Sequence, residues 1–106
     1  MYMLVEFDEV EPANRYSAER TLHQVNFSCI APSARKVSVV GDFNHWNSIA
    51  NPMLRMPDGG WVLSLPLHHG HHQYYFLIDG RPTLDPRSLG TVRNKRDEAV
   101  SLIAVS

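Results

Sequence analysis

From Leu22 onward the side chains alternate between apolar and polar, and a period of two rules out most folds open to a short chain. Val25, Phe27 and Cys29 share one side of a run whose other side is Gln24, Asn26 and Ser28. Successive side chains of a strand point to opposite faces, so this run predicts a half-buried strand. Val37 and Val39 repeat the pattern within Lys36 to Val40, and Trp61, Leu63 and Leu65 repeat it after the glycines. His71 to Ile78 is the most strand-like run: Tyr74, Phe76 and Ile78 face one way, Tyr75 and Leu77 the other. A short strand is expected near Met53 to Met56, another over Leu89 to Asn94, and a last one over about Ala99 to Val105. Between them lie turn signals at Ala31–Ala34, Pro66–Gly70, Asp58-Gly59-Gly60 and Asp79-Gly80; the glycines accept the positive φ that tight hairpins need. No segment shows the helical period. About seven short strands, with a turn roughly every 8–12 residues, predict an all-β antiparallel sandwich.

The remainder of the chain is organised around that unit. Met1 to Glu11 mixes Met1, Met3, Leu4, Val5 and Phe7 with acids, which suits an added edge strand or an arm docking on a partner. Pro12 to Arg20 is polar and reads as a linker. The expected organisation is therefore an arm or extra strand plus linker over 1–20 and a sandwich over 21–106. At 106 residues the chain suits one domain with one modest core. It is too short for a catalytic barrel, which needs about 250 residues. Lys and Arg number 10 against 11 Asp and Glu, a net charge of −1, which gives no electrostatic case for nucleic acid or a membrane surface. Cys29 is the single cysteine, so no internal disulfide forms, and its place on an apolar face predicts a small buried hydrophobe. Met1 to Val10 lacks a basic start and a continuous apolar stretch, and no apolar run approaches the ~20 residues of a membrane span. A soluble cytoplasmic protein is the expectation.

Three constellations invite chemistry. His68, His69, His71 and His72 are imidazoles of the kind that suit zinc, copper or nickel. Neighbours on a strand point to opposite faces, however, and no cysteine supports them, so neither metal nor cofactor is expected. Asp79 and Asp85 could pair across a sugar as glycosidases require. Asp79 is accounted for by the Asp-Gly turn and Asp85 by turn initiation at Asp85-Pro86, so no catalytic residue is assigned. The third is Gly41-Asp42-Phe43-Asn44-His45-Trp46-Asn47, a polar turn after a strand with a tryptophan inside it. That ring has two fates: folded back over the core with its N–H bonded, or face-on to a ligand. The burial habits of large aromatics alone favour the first.

Val37-Ser38-Val39-Val40-Gly41-Asp42-Phe43-Asn44-His45-Trp46 resembles the V-x-V-x-G-x-F-N-x-W strand and turn of carbohydrate-binding module family 48. That family includes the glycogen-binding domain of the AMP-activated protein kinase β subunit and the N-terminal sandwich domains of glycogen branching enzymes and isoamylases. Phe27 through Trp46 is similar to the first hairpin of the branching-enzyme domains, and Gly70 through Pro86 matches the family's G-x-H-x-Y-x-F-x-x-D-G-x-x-x-x-D-P. The resemblance spans roughly Leu22 to Val105. It implies an immunoglobulin-like (early-set) sandwich and turns Trp46 toward the ligand.

In the kinase subunit two tryptophans grip the glucan with the help of a Lys, a Leu, a Thr and an Asn. Trp46 matches the first tryptophan, and Pro82 stands where the second would be. The lysine position is Tyr75, which supplies a replacement ring or else covers the sheet. The family Leu and Thr carry over to Leu89 and Thr91. The family Asn falls on Arg93 without a gap and on Asn94 with one. Arg81, beside the missing ring, is a hydrogen-bonding candidate or a plain exposed turn residue, and the loop from Pro86 to Leu89 is short for the family. The expected function is a non-catalytic α-glucan (glycogen or starch) binding module. Binding is expected to be weaker than that of a two-ring clamp by about 1–2 kcal/mol. The alternatives are an interaction or self-association domain with a degenerate sugar site, dimerising through its N-terminal arm, and an accessory piece of a branching or debranching enzyme. Expected partners are a polysaccharide or oligosaccharide glucan and a glycogen-metabolism enzyme or kinase.

Overall fold

A computed structural model describes residues 22–106, and the expected N-terminal arm and linker lie outside them. Among the described residues eight strands form two antiparallel sheets. The smaller sheet contains β1 (Leu22–Ile30), β3 (Leu54–Arg55) and β4 (Gly60–His68), in the order β1-β4-β3. The larger contains β2 (Val37–Gly41), β5 (Gly70–Ile78), β6 (Arg81–Thr83), β7 (Gly90–Arg93) and β8 (Ala99–Val105). Its order is β2-β5-β8-β7, and β6 pairs with β5 beyond the end of β8. The fold is the expected all-β sandwich, with one strand more than the expected seven. The addition is β6, whose three residues are too few to display a period.

The alternation predicts the core well. Phe27, Cys29, Val37, Val39, Trp61, Tyr74 and Phe76 are all buried between the sheets, joined by Met53 from the connection. Phe27 meets Tyr74 edge-on at 5.1 Å, and the Trp61 Nε1–H donates to the Ala31 carbonyl at 2.9 Å, which satisfies the indole inside the core. Burial pushes the Cys29 thiol above the usual cysteine range, with the Asp85 charge adding to it.

Two connections differ from expectation. The segment from Phe27 to Trp46 is not a hairpin: β1 pairs with β4 and β2 pairs with β5, so the turn after Ile30 carries the chain from one sheet to the other. A local pattern cannot distinguish a return along the same sheet from a crossing, because both need a polar turn. The turn expected at Pro66–Gly70 shrinks to His69, since β4 runs on through Pro66 to His68. There β4 has a described partner on one side only, because β3 reaches no further than Trp61 and Val62, and edge positions are where a sheet accepts proline.

Strand β5 is the spine. One edge pairs with β2, and the other with β8 and then β6. Its even residues Tyr74 and Phe76 enter the core, while Gln73, Tyr75 and Leu77 line the outer face. The β5–β6 hairpin turns on Asp79 and Gly80, with φ of 48° and 84°, the two-residue left-handed turn that Asp-Gly predicts. The Asp79 carboxylate accepts the Lys36 and Arg35 N–H groups at 3.0 and 2.8 Å. Those backbone bonds hold its carboxyl below the usual carboxylate range.

Candidate functional site

The loop after β2 begins at Gly41, whose backbone is extended, so conformation alone does not require glycine there. Space does: a Cβ at Gly41 would lie 2.5 Å from the Phe43 ring and 2.7 Å from the Gln73 carbonyl oxygen. Phe43 can therefore fold back toward the core, 5.8 Å from the Phe27 ring, only over a residue without a side chain. Asp42–Asn44 make one turn of 3₁₀ helix, and then His45 and Trp46 both adopt left-handed backbone, with φ of 57° and 58°. The Trp46 N–H closes the loop by donating to the Gly41 carbonyl at 2.9 Å.

The consequence is a ring carried out over the outer face of β5. Trp46 stacks on Tyr75 with centroids 5.9 Å apart and planes 24° apart. Trp46 is half-buried and stands outside the core cluster, so the core-lidding fate is not the one this loop adopts. Tyr75 does both things open to it. It lies on the sheet beside Val40, its partner in register, and it backs the indole.

Trp46 and Tyr75 form one side of an open depression of about 520 Å³. Asp42, His45 and Gln73 continue that side, and Asn94, Lys95, Arg96 and Glu98 from the β7–β8 turn make the opposite wall. The acids are already engaged. Asp42 meets the His72 Nδ1 at 3.0 Å and accepts the Gln73 N–H at 2.9 Å, while Glu98 accepts the Asn94 Nδ2–H at 3.1 Å. The Asn94 Oδ1 also accepts the Arg96 and Glu98 N–H groups at 2.9 and 3.0 Å, so this side chain shapes the turn that presents the wall. What faces the open volume is a flat aromatic pair with amide and cationic donors around it. That arrangement suits a ligand with apolar ring faces and hydroxyl edges.

Of the residues singled out in the sequence, the structure brings together Trp46, Tyr75 and Asn94. Thr91 does not join them: it pairs with Ser101, which pairs with the core residue Tyr74, and it lines a separate cleft of about 780 Å³ between the sheets. Arg93 lies two residues along the same face of β7, and its guanidinium donates to the Asp97 carbonyl at 2.6 Å within the turn. Leu89 is 68% exposed just before β7, outside the depression. Arg81 pairs with Ile78 and is out of phase with Tyr75 and Leu77. Pro82 pairs with Leu77, so it does share the Tyr75 face, exposed and without a π surface. Gln73 was legible, because it precedes Tyr75 by two on one strand. Lys95, Arg96 and Glu98 were not, since only the β7–β8 hairpin brings that turn across the sheet.

The two carboxylates considered for catalysis sit elsewhere. Asp79 holds the turn before β2, and Asp85 accepts the Tyr74 hydroxyl at 2.6 Å and the Arg87 N–H at 2.9 Å. Among the described residues no group of three or more His, Cys, Asp or Glu is placed to hold a metal ion, and no helix is long and apolar enough to cross a membrane. His72 is occupied between Asp42 and the His68 carbonyl, 2.9 Å from its Nε2.

Residues 13–96 match the sequence model of Carbohydrate-binding module 48 (Isoamylase N-terminal domain). The chain is also similar to the 1,4-alpha-glucan branching enzyme GlgB 2 of Rhizobium johnstonii, 33% identical over 108 residues that cover 91% of this chain and 15% of that enzyme. The branching enzyme GlgB of Deinococcus radiodurans is 37% identical over 81 residues, or 73% of this chain and 12% of the enzyme. That of Bradyrhizobium sp. strain ORS 278 is 46% identical over 56 residues, or 53% and 8%. The chain thus spans about a seventh of the length of the first of these relatives.

Proposed function

Because the chain belongs to the carbohydrate-binding module 48 family, we propose that it binds α-glucan through the outer face of β5, without catalysis of its own. Trp46 and Tyr75 form the platform, with Gln73, Asn94, Lys95 and Arg96 supplying donors to sugar hydroxyls. The observation that carries this reading is the stacked pair itself: an indole placed on a tyrosine at 5.9 Å, half-open to an adjoining depression. A pyranose ring laid against it gains the modest stacking energy typical of aromatic contacts, about 0.5–1.5 kcal/mol per ring. Contacts repeated along a polymer raise that by avidity.

The relatives are branching enzymes, and the ligand inferred for this module is accordingly the 1,4-linked glucan chain such enzymes act on. Attachment to a larger glucan-modifying enzyme is part of the same proposal. Titration of the protein with maltoheptaose or β-cyclodextrin, followed by indole fluorescence or chemical shifts, tests it. Saturable binding is expected, with Trp46→Ala reducing affinity by about two- to tenfold while the fold persists. No response at millimolar sugar sinks the proposal.

A further inference from the structure

We propose that Asn44 is the positioning residue of this site, the side chain that holds Trp46 where a sugar ring can reach it; the inference rests on the glucan-binding reading above. Asn44 is absent from the lining of the depression, so it acts through the loop rather than by touching ligand. Its part-buried amide is spent entirely on the neck of that loop. The Oδ1 accepts the Gly41 N–H at 3.1 Å. The Nδ2 donates to the Val39 carbonyl at 3.0 Å and to the Asn51 Oδ1 at 2.6 Å. A primary amide has one carbonyl oxygen and two N–H groups, and all three are used here.

These partners define two arms. Val39 and Gly41 belong to the arm by which the chain leaves β2. Asn51 is where it returns, its own carbonyl accepting the Val39 N–H at 3.0 Å. The backbone also joins the arms through the Met53 N–H, which donates to the Val37 carbonyl at 2.8 Å. The Asn44 side chain adds the bonds that reach up to Gly41 at the neck, with Trp46 in the excursion between them. The tie is needed because His45 and Trp46 are consecutive residues in left-handed backbone, a conformation that side chains with a Cβ avoid unless their surroundings over-determine it. The single bond from the Trp46 N–H to the Gly41 carbonyl is anchored at a residue that Asn44 itself holds. An aspartate could still accept from Gly41, but it would turn an oxygen toward the Val39 carbonyl where a donor is required.

The test uses Trp61→Phe, which leaves Trp46 as the only indole of a chain that has two. Asn44→Ala and Asn44→Asp are made in that background. Acrylamide quenching of Trp46, maltoheptaose affinity and melting temperature are then measured. Trp61→Phe alone removes a buried hydrogen bond and is expected to lower the melting temperature while affinity stays within about twofold, because its ring lies in the core. Both Asn44 variants are expected to raise quenching and to weaken affinity by about two- to tenfold, as a platform no longer held in place does. An Asn44→Ala protein with unchanged quenching and affinity overturns the inference. Should that variant fail to fold, Asn44→Asp carries the test. In the unmutated protein the two Asn44 side-chain amide protons must also be protected from solvent exchange, and rapid exchange counts against the role. If the starting protein binds no maltoheptaose, the glucan-binding reading falls, while quenching and amide exchange still decide whether Asn44 holds the indole.

Discussion

At the scale of single residues, Tyr75 joins sheet to site. Replacing it by Phe keeps the ring that backs Trp46 and is expected to leave glucan affinity within about twofold, whereas Tyr75→Ala removes the support and should cost about 1 kcal/mol or more. Isothermal titration of Trp46→Ala, Tyr75→Ala and the double variant closes the cycle, and a double loss smaller than the sum is expected for rings in contact. Its neighbour Tyr74 answers to the core instead. Burial, the hydrogen bond to Asp85 and the charge of that carboxylate, in that order, hold its phenol well above the ordinary tyrosine value. The unfolded chain releases that proton near pH ~10 while the folded one keeps it, so the folded state loses stability as pH rises past that point. Tyr74→Phe is expected to cost about 1–2 kcal/mol at neutral pH by leaving the Asp85 Oδ2 without the hydroxyl that donates to it, while Oδ1 keeps the Arg87 N–H. The gap to the parent should narrow in thermal melts above pH ~10, where the parent pays for its proton.

At the scale of elements, two glycines separate conformation from space. Gly80 has φ of 84° with nothing near its missing Cβ, so Gly80→Ala strains the β5–β6 turn alone. A loss of about 1 kcal/mol in chemical denaturation with unchanged glucan affinity is expected. Gly41→Ala is conformationally free but collides with Phe43 and the Gln73 carbonyl, which costs about 1–3 kcal/mol by overpacking. Because that collision sits at the neck of the loop, affinity should fall with stability. Strand β5 was legible because its alternation is long enough to assign a face, and the Asp79-Gly80 turn because its chemistry permits few geometries. The crossing from β1 to β2 was not, since sheet membership is decided by partners more than thirty residues away, Trp61 for Cys29 and Phe76 for Val39.

At the scale of the whole molecule, the net charge is −1 and the acids beside the depression are internally bonded. Binding of an uncharged glucan is therefore expected to change by less than about twofold between low and high salt, as screening acts only on charged partners. A steep salt dependence would mean that Lys95 and Arg96 are meeting an anion. The same scale explains which half of the site could be read from the chain. Trp46 lies in a local signature and Tyr75 in a local alternation, so both were visible. Of the facing wall, Asn94 was a candidate from the family motif, whereas Lys95, Arg96 and Glu98 join it through β7 and β8 closing a hairpin beside β5, which no short window of residues encodes. Thr91 and Arg93 sit on the strand leading to that wall, but the pleat points them the other way.

Strand β5 interleaves two duties on one thread: Tyr74 and Phe76 hold the interior, while Gln73 and Tyr75 border the outer depression. Odd positions are thus open to evolutionary retuning of what is held, with little penalty to the architecture. Insertion or deletion of one residue between Tyr74 and Phe76 would exchange the two sets beyond it in a single step unless a bulge took up the extra residue.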